Sequence, residues 1–212
     1  MLEELNAPWL EQGETLLCFG DSITADTPGY VGILTEKLAL RGIKVINAGR
    51  GGDKTTWALG RIDSDIVAQH PDAVSIFLGA NDAAVGRGIW ADEPRVTPEA
   101  YECNLEWIIH LSKLFGNIKK FSIATPLAFF EGSTYAMHGD ILREYCLKAR
   151  EAAENMQAIL VPLDVMWERA TKEREAHRNQ ETGFLLTKDG THPTAEGYRL
   201  IADFMLKTWK LN

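Results

Sequence analysis

Five short apolar runs are spaced along the chain with helix-period segments between them, and this alternation limits the possible fold more than any other feature. The runs are Thr15 to Phe19 (TLLCF), Lys44 to Ala48 (KVINA), Ala73 to Leu78 (AVSIFL), Lys120 to Ala124 (KFSIA) and Ala158 to Pro162 (AILVP). Each has strand length and is nearly all apolar, as expected of strands covered on both faces. Helices are predicted over Gly29 to Leu40, Thr56 to Gln69, Thr97 to Phe115, Asp140 to Met156 and Thr194 to Lys210. The third begins with a threonine cap, Pro98 at its first position and Glu99 against the positive helix end. In the fourth, Leu142, Tyr145, Cys146, Ala149, Ala153 and Met156 recur at three- and four-residue steps and form one apolar stripe. The last repeats this with Tyr198, Ile201, Ala202, Met205 and Trp209.

Strands alternating with helices imply right-handed crossovers and a parallel sheet with helices on both faces, an α/β three-layer architecture. Ligands of such sheets bind at the carboxyl ends of the strands, so the loops leaving those ends are where chemistry is expected. The 212 residues are enough to bury a core without disulfides or metals. With no internal repeat, low-complexity run or linker, residues 1–212 read as a single domain. Two longer stretches, Ala83 to Val96 and Leu127 to Gly139, are candidates for a substrate wall.

Charge and cysteine content narrow the partners. Lys and Arg total 22 against 30 Asp and Glu, a net charge of −8 that repels phosphate backbones and anionic lipid. Neither nucleic acid nor membrane is an expected partner, and the oligomeric state is not legible. Cys18, Cys103 and Cys146 are odd in number and form no C-x-x-C pair, which suggests neither a disulfide framework nor a zinc knuckle. The start, MLEELNAPWLEQGE, carries acid where a secretory leader needs Lys or Arg, and no stretch approaches the roughly 18 apolar residues of a membrane span. The expectation is a soluble, cytoplasmic protein.

Several familiar motifs fail. In Gly49-Arg50-Gly51-Gly52-Asp53-Lys54-Thr55, Lys54 stands where a dinucleotide fingerprint needs its final glycine, and Asp53 stands where a phosphate loop needs glycine before the lysine. Around Ser22, Thr24 replaces the second glycine of a G-x-S-x-G elbow, and no H-E-x-x-H occurs. Four polar blocks remain. Gly20-Asp21-Ser22-Ile23-Thr24 follows the first strand, Asn47-Ala48-Gly49-Arg50-Gly51-Gly52 the second and Gly79-Ala80-Asn81-Asp82 the third; Asp189-Gly190-Thr191-His192-Pro193 precedes the last helix.

In this order and at these places, the blocks resemble those of the GDSL, or SGNH, hydrolase superfamily. Their spelling is most similar to isoamyl-acetate-hydrolysing esterases and carbohydrate acetylesterases. The resemblance covers Gly20 to His192 and implies a flavodoxin-like five-stranded sheet, hydrolysis of esters, thioesters or acylated sugars, and no cofactor or metal. It assigns the nucleophile to Ser22 and the base to His192, histidine being the side chain whose ordinary pKa suits proton transfer near neutral pH, with Asp189 three residues earlier to orient the ring. The oxyanion would be held by the backbone N–H groups of Ser22 and Gly52 and by the Asn81 carboxamide. Asp21 and Asp82 are implied supports of those loops, whereas Asp53 reads equally well as a surface acid. The remaining histidines, His70, His110, His138 and His177, read as structural or surface residues.

Trp90, Phe129 and Phe130 lie in the two long stretches and could frame an acyl or alcohol group, or simply pack. Arg50 departs from the small or apolar residue of many relatives; it could favour an acidic or sugar-like leaving group, or pair with Asp26 or Asp53. The expected activity is a serine esterase acting on short-chain, first of all acetyl, esters of small alcohols or carbohydrates through an acyl-enzyme on Ser22. Thioesterase and lysophospholipase activities are the alternatives within the superfamily. A metal-dependent phosphoesterase using Asp21, Asn81, Asp82, Asp189 and His192 as ligands, and a non-catalytic sugar-binding module, are the alternatives outside it.

Overall fold

The structure is a computed structural model, and it describes residues 6–84 and 92–212. Five strands, β1 Thr15–Gly20, β2 Lys44–Gly49, β3 Ala73–Phe77, β4 Lys120–Ala124 and β5 Ile159–Val161, form one sheet in the order β2-β1-β3-β4-β5. All four pairings are parallel, with Cys18 opposite Asn47 on one side and Ser75 on the other. This is the flavodoxin-like order, with its switch point between β1 and β3.

The helices described are α1 Ser22–Ala25, α2 Tyr30–Ala39, α3 Thr55–Leu59, α4 Ile62–Asp65, α5 Ala80–Ala83, α6 Pro98–Gly116, α7 Gly132–His138, α8 Leu142–Met156, α9 Leu163–Glu173 and α10 Ala195–Thr208. Alternate residues of each strand serve opposite cores, because strand side chains point to opposite faces in turn. Leu16 and Cys18 of β1 join Leu34, Trp167 and Met205 from α2, α9 and α10. Leu17 and Phe19 join Ala58, Leu105, Ile109 and Ala149 from α3, α6 and α8. The predicted cap is formed, the Thr97 side chain accepting from the Ala100 amide, and α10 carries a second one that the sequence reading did not name, the Thr194 side chain accepting from the Gly197 amide.

The structure differs from the sequence reading at three elements. The helix expected over Thr56 to Gln69 is broken into α3, α4 and a 3₁₀ turn, Val67–Gln69. The break falls at Gly60 and Arg61, whose amides bond to Trp57 and Ala58 three residues back, and it turns the Arg61 side chain inward to 4% exposure. Inside the stretch Leu127 to Gly139, read as a long loop, stands the two-turn helix α7. Helix α9 was not anticipated, although Leu163, Trp167, Ala170 and Thr171 recur at helical spacing on its buried side.

Candidate active site

The carboxyl ends of β1, β2 and β3 and the segment before α10 meet at one rim. Chain leaving β1 turns immediately into α1, with Asp21 as its N-cap accepting from the Ile23 amide at 2.9 Å. Gly20 makes the turn possible, because a Cβ there would lie 2.6 Å from the Phe77 carbonyl oxygen and closer still to the Thr24 hydroxyl. Ser22 is thereby the first residue of a helical turn, where the backbone N–H has no partner within its own helix.

Asp189 organises the opposite side. One carboxylate oxygen accepts from the amides of Thr191 (3.0 Å) and His192 (2.7 Å), and the other lies 2.6 Å from His192 Nδ1. A carboxylate only accepts, so this contact sets the tautomer with hydrogen on Nδ1 and a lone pair on Nε2. Nε2 lies 2.9 Å from Ser22 Oγ, across 170 residues of sequence. The three residues assigned by resemblance therefore form one hydrogen-bonded line.

Gly52 has φ +79°, a conformation that costs an L side chain, at the end of the loop after β2. The Asn81 amide nitrogen donates to the main-chain oxygen of Asp53 at 2.9 Å, which ties the loop after β3 to the one after β2. That bond uses one of its two hydrogens. Asp82 is fully buried and accepts from the Thr55 amide (3.0 and 3.2 Å) and hydroxyl, anchoring the start of α3. Asp21 and Asp82 thus each accept from a first-turn amide of a short helix, α1 and α3 respectively.

Asp53 is not a surface acid. It is 1% exposed and ion-paired with Arg61, whose guanidinium also donates to the carbonyls of Ala48 (2.9 Å) and Gly20 (2.8 Å) and stacks 4.0 Å over the Phe19 ring. Arg61 is the hub that sequence reasoning missed; the one available signal was a lone arginine after Gly60 in an otherwise apolar stripe. Lys54 is buried too, and its ammonium donates to the Pro94 carbonyl at 2.7 Å.

Burial pushes the Asp21 carboxyl up to about 7, against the Ile23 amide, with the neighbouring Asp82 and Asp53 carboxylates adding to the rise. Burial likewise raises Asp82 to about 6, against its bonds from Thr55. At Asp189 burial also acts upward, but the bonds from the His192 amide and ring and the Thr191 amide outweigh it and hold the carboxyl below its ordinary value.

Phe129, half-buried, and Phe130, buried, line a small crevice beside the turn that carries Ser22, together with Ile23, Leu127 and Thr191. Trp90 lies outside the described residues. Arg50 is exposed, and neither suggested partner pairs with it: Asp26 binds Lys188 and Tyr198, and Asp53 binds Arg61. Among the described residues no group of three His, Cys, Asp or Glu side chains is placed to hold a metal ion, and no helix is long and apolar enough to cross a membrane.

A doubly wound parallel sheet with serine, imidazole and carboxylate joined in line at its carboxyl edge has the layout of a serine-type hydrolase. Residues 18–200 match the GDSL-like lipase/acylhydrolase family, and the chain belongs to that family. By class it is a carboxylic ester hydrolase with the SGNH hydrolase fold. Among its relatives is the acetylxylan esterase of Geobacillus stearothermophilus, 26% identical over 220 residues that cover 92% of this chain and 93% of that one. A GDSL esterase/lipase of Arabidopsis thaliana is 26% identical over 209 residues, 92% of this chain and 85% of its own. The crystal structure of the Geobacillus enzyme superposes with a TM-score of 0.78 at 24% identity, covering 95% and 96% of the two chains, and shows the fold in common. Catalytic mutants of that enzyme have been solved with an aspartate, a histidine three positions later, or a serine replaced by alanine.

Proposed function

We propose that the protein transfers a short acyl group, acetyl first of all, from an alcohol or carbohydrate ester to Ser22 and then to water. The observation that carries this reading is the unbroken line from Asp189 through His192 to Ser22 Oγ. His192 Nε2 takes the hydroxyl proton as Oγ attacks the carbonyl carbon. The oxyanion that forms is held by the backbone N–H groups of Ser22 and Gly52 and by the second amide hydrogen of Asn81. Collapse breaks the bond to the leaving alkoxide, which takes from His192 the proton that came from Ser22 and departs as the alcohol. Water then repeats the sequence on the acyl-enzyme. Asp189 stays ionised throughout and steadies the imidazolium.

The acetylxylan esterase relative, with its catalytic serine, histidine and aspartate, supports both the roles and the acetyl preference. A net charge of −8 favours a small neutral substrate over nucleic acid or an anionic surface. Three free cysteines, two of them buried, favour a reducing, cytoplasmic setting.

Mass spectrometry of protein quenched during turnover of p-nitrophenyl acetate is expected to find one acetyl group on the peptide containing Ser22, and none in Ser22→Ala. Undiminished turnover by Ser22→Ala would end this reading. Crossing acyl length with alcohol, sugar and thiol leaving groups then separates acetylesterase from thioesterase and lysophospholipase.

A further inference from the structure

Glu131 stands at the end of the chain segment that follows β4 and is 1% exposed, yet no step above uses it. One carboxylate oxygen accepts from the amides of Leu185 (2.8 Å) and Thr187 (3.1 Å) and from the Thr187 hydroxyl (2.6 Å). The Leu186 amide lies 3.1 and 3.2 Å from the two oxygens. Three consecutive amides thus converge on one buried anion, an arrangement that folds a backbone around a charge. The main chain of Glu131 holds the same loop again, its amide donating to the Gly190 carbonyl at 2.8 Å. At Gly190 φ is +89° and a Cβ would sit 2.6 Å from the Glu131 carbonyl oxygen, so the two backbones pack with no room for a side chain.

The residues gripped in this way, 185–187 and 190, flank the Asp189 end of the catalytic loop. From there the hold passes to His192 through a short hairpin: the Lys188 amide donates to the His192 carbonyl at 2.8 Å and the Thr194 amide to the Leu186 carbonyl at 2.7 Å. Without the carboxylate, three amides, two of them buried, and a buried hydroxyl would lose their acceptor, and a loop with unpaired amides shifts to find others.

We propose that Glu131 is a positioning residue for ester hydrolysis, its carboxylate serving as the template on which residues 185–190 fold and so setting the reach of His192 to Ser22. The inference rests on His192 being the base. Glu131 touches no reacting atom; it acts through the loop backbone. A carboxylate suits the task because it offers acceptors on both oxygens, whereas glutamine must turn its NH₂ towards at least one donor.

The test compares Glu131→Ala, Glu131→Gln and Thr187→Val by thermal unfolding, by kcat and KM on p-nitrophenyl acetate, and by the downfield proton NMR resonance of His192 Nδ1–H. That resonance is assigned by its absence from His192→Gln and requires no turnover. In folded Glu131→Ala, kcat is expected to fall about 30-fold or more, as misplacement of a catalytic group by a fraction of an ångström does, with KM within about 3-fold and the resonance lost to exchange. Glu131→Gln, which keeps one oxygen for the amides, is expected to lie between alanine and wild type. Thr187→Val, which removes the shortest bond, should lose roughly 3- to 10-fold in kcat. Should Glu131→Ala fail to fold, the glutamine and valine variants decide. Wild-type kcat in both, or a retained resonance with activity falling only as the folded fraction falls, would overturn the proposal. Ser22→Ala is measured alongside: an active Ser22→Ala would strike at the esterase reading, while the NMR arm still reports on Glu131.

Discussion

The ammonium of Lys188, one residue before Asp189, reaches across the rim to the carboxylate of Asp26 at 2.6 Å, four residues beyond Ser22. The Tyr198 hydroxyl donates to the same oxygen at 2.7 Å. The loop that carries the imidazole is therefore tied to the turn that carries the hydroxyl, independently of the bond between those two groups. Its bond to Lys188, working against partial burial, also holds Asp26 below the ordinary carboxylate range.

Lys188→Met should separate geometry from stability. Lys188 is 52% exposed, so the pair contributes no more than about 1 kcal/mol to folding. Because it fixes the approach of two loops, kcat is expected to fall roughly 3- to 10-fold, with a smaller change in KM. Steady-state kinetics beside a thermal melt measures both, and an unchanged kcat would remove the tether from the account of the site.

Ser22→Ala and His192→Ala are each expected to lower kcat by about 10⁴-fold or more, and the double variant should be little worse, because the two groups act as one unit. Asp189→Asn should also be severe, since a carboxamide no longer enforces hydrogen on Nδ1. Losses that add in the double variant would contradict the shared mechanism.

In the proposed mechanism Asn81→Ala removes one oxyanion donor, and it should then cost about 10²- to 10³-fold in kcat. It also leaves the Asp53 carbonyl without the bond observed at 2.9 Å, so urea denaturation is needed to show that the folded population is intact at assay temperature. Full activity in a folded Asn81→Ala protein would exclude the carboxamide from the oxyanion site.

Stability should fall as pH rises from about 4 to about 7. The folded chain holds the Asp21 proton more tightly than the unfolded chain, because burial raises that carboxyl to about 7. Its contribution is therefore complete below its unfolded pKa near 4 and is lost as pH passes through about 7. Asp82, raised by burial to about 6, acts in the same direction. Asp189, held low by its hydrogen bonds in spite of burial, acts in the opposite one: its contribution is present above about 4 and is lost as pH falls through its lowered value. Asp21→Asn keeps an acceptor for the Ile23 amide and removes the titration, so its urea midpoint should drop less than that of wild type between pH 5 and pH 8. Parallel profiles for the two proteins would refute the assignment.

Much of this molecule was legible before any coordinates. All five strands were readable from apolar run length, and Thr97 and Pro98 marked the start of α6, because strand burial and helix capping are decided by residues within a few positions of one another. One misread element is a place where a distant group overrides local preference. Gly60 and Arg61 end a helix that the apolar stripe would have continued, since the guanidinium must reach Asp53 and the ends of β1 and β2. Helix α9 begins directly after Pro162, where the apolar run of β5 passes into the helix and blurs the change of period.

The chemical groups, their order along the chain and the local pairing of Asp189 with His192 three residues on were determined by the sequence alone. The sequence could not say that Ser22 and His192, 170 residues apart, would stand 2.9 Å from each other, that Asp53 would be buried against Arg61, or that Glu131 would receive the amides of 185–187. Those distances follow from the strand order β2-β1-β3-β4-β5, which gathers loops from remote parts of the chain at one edge. Periodicity and capping act over a few residues, whereas convergence depends on how two cores pack against a single sheet.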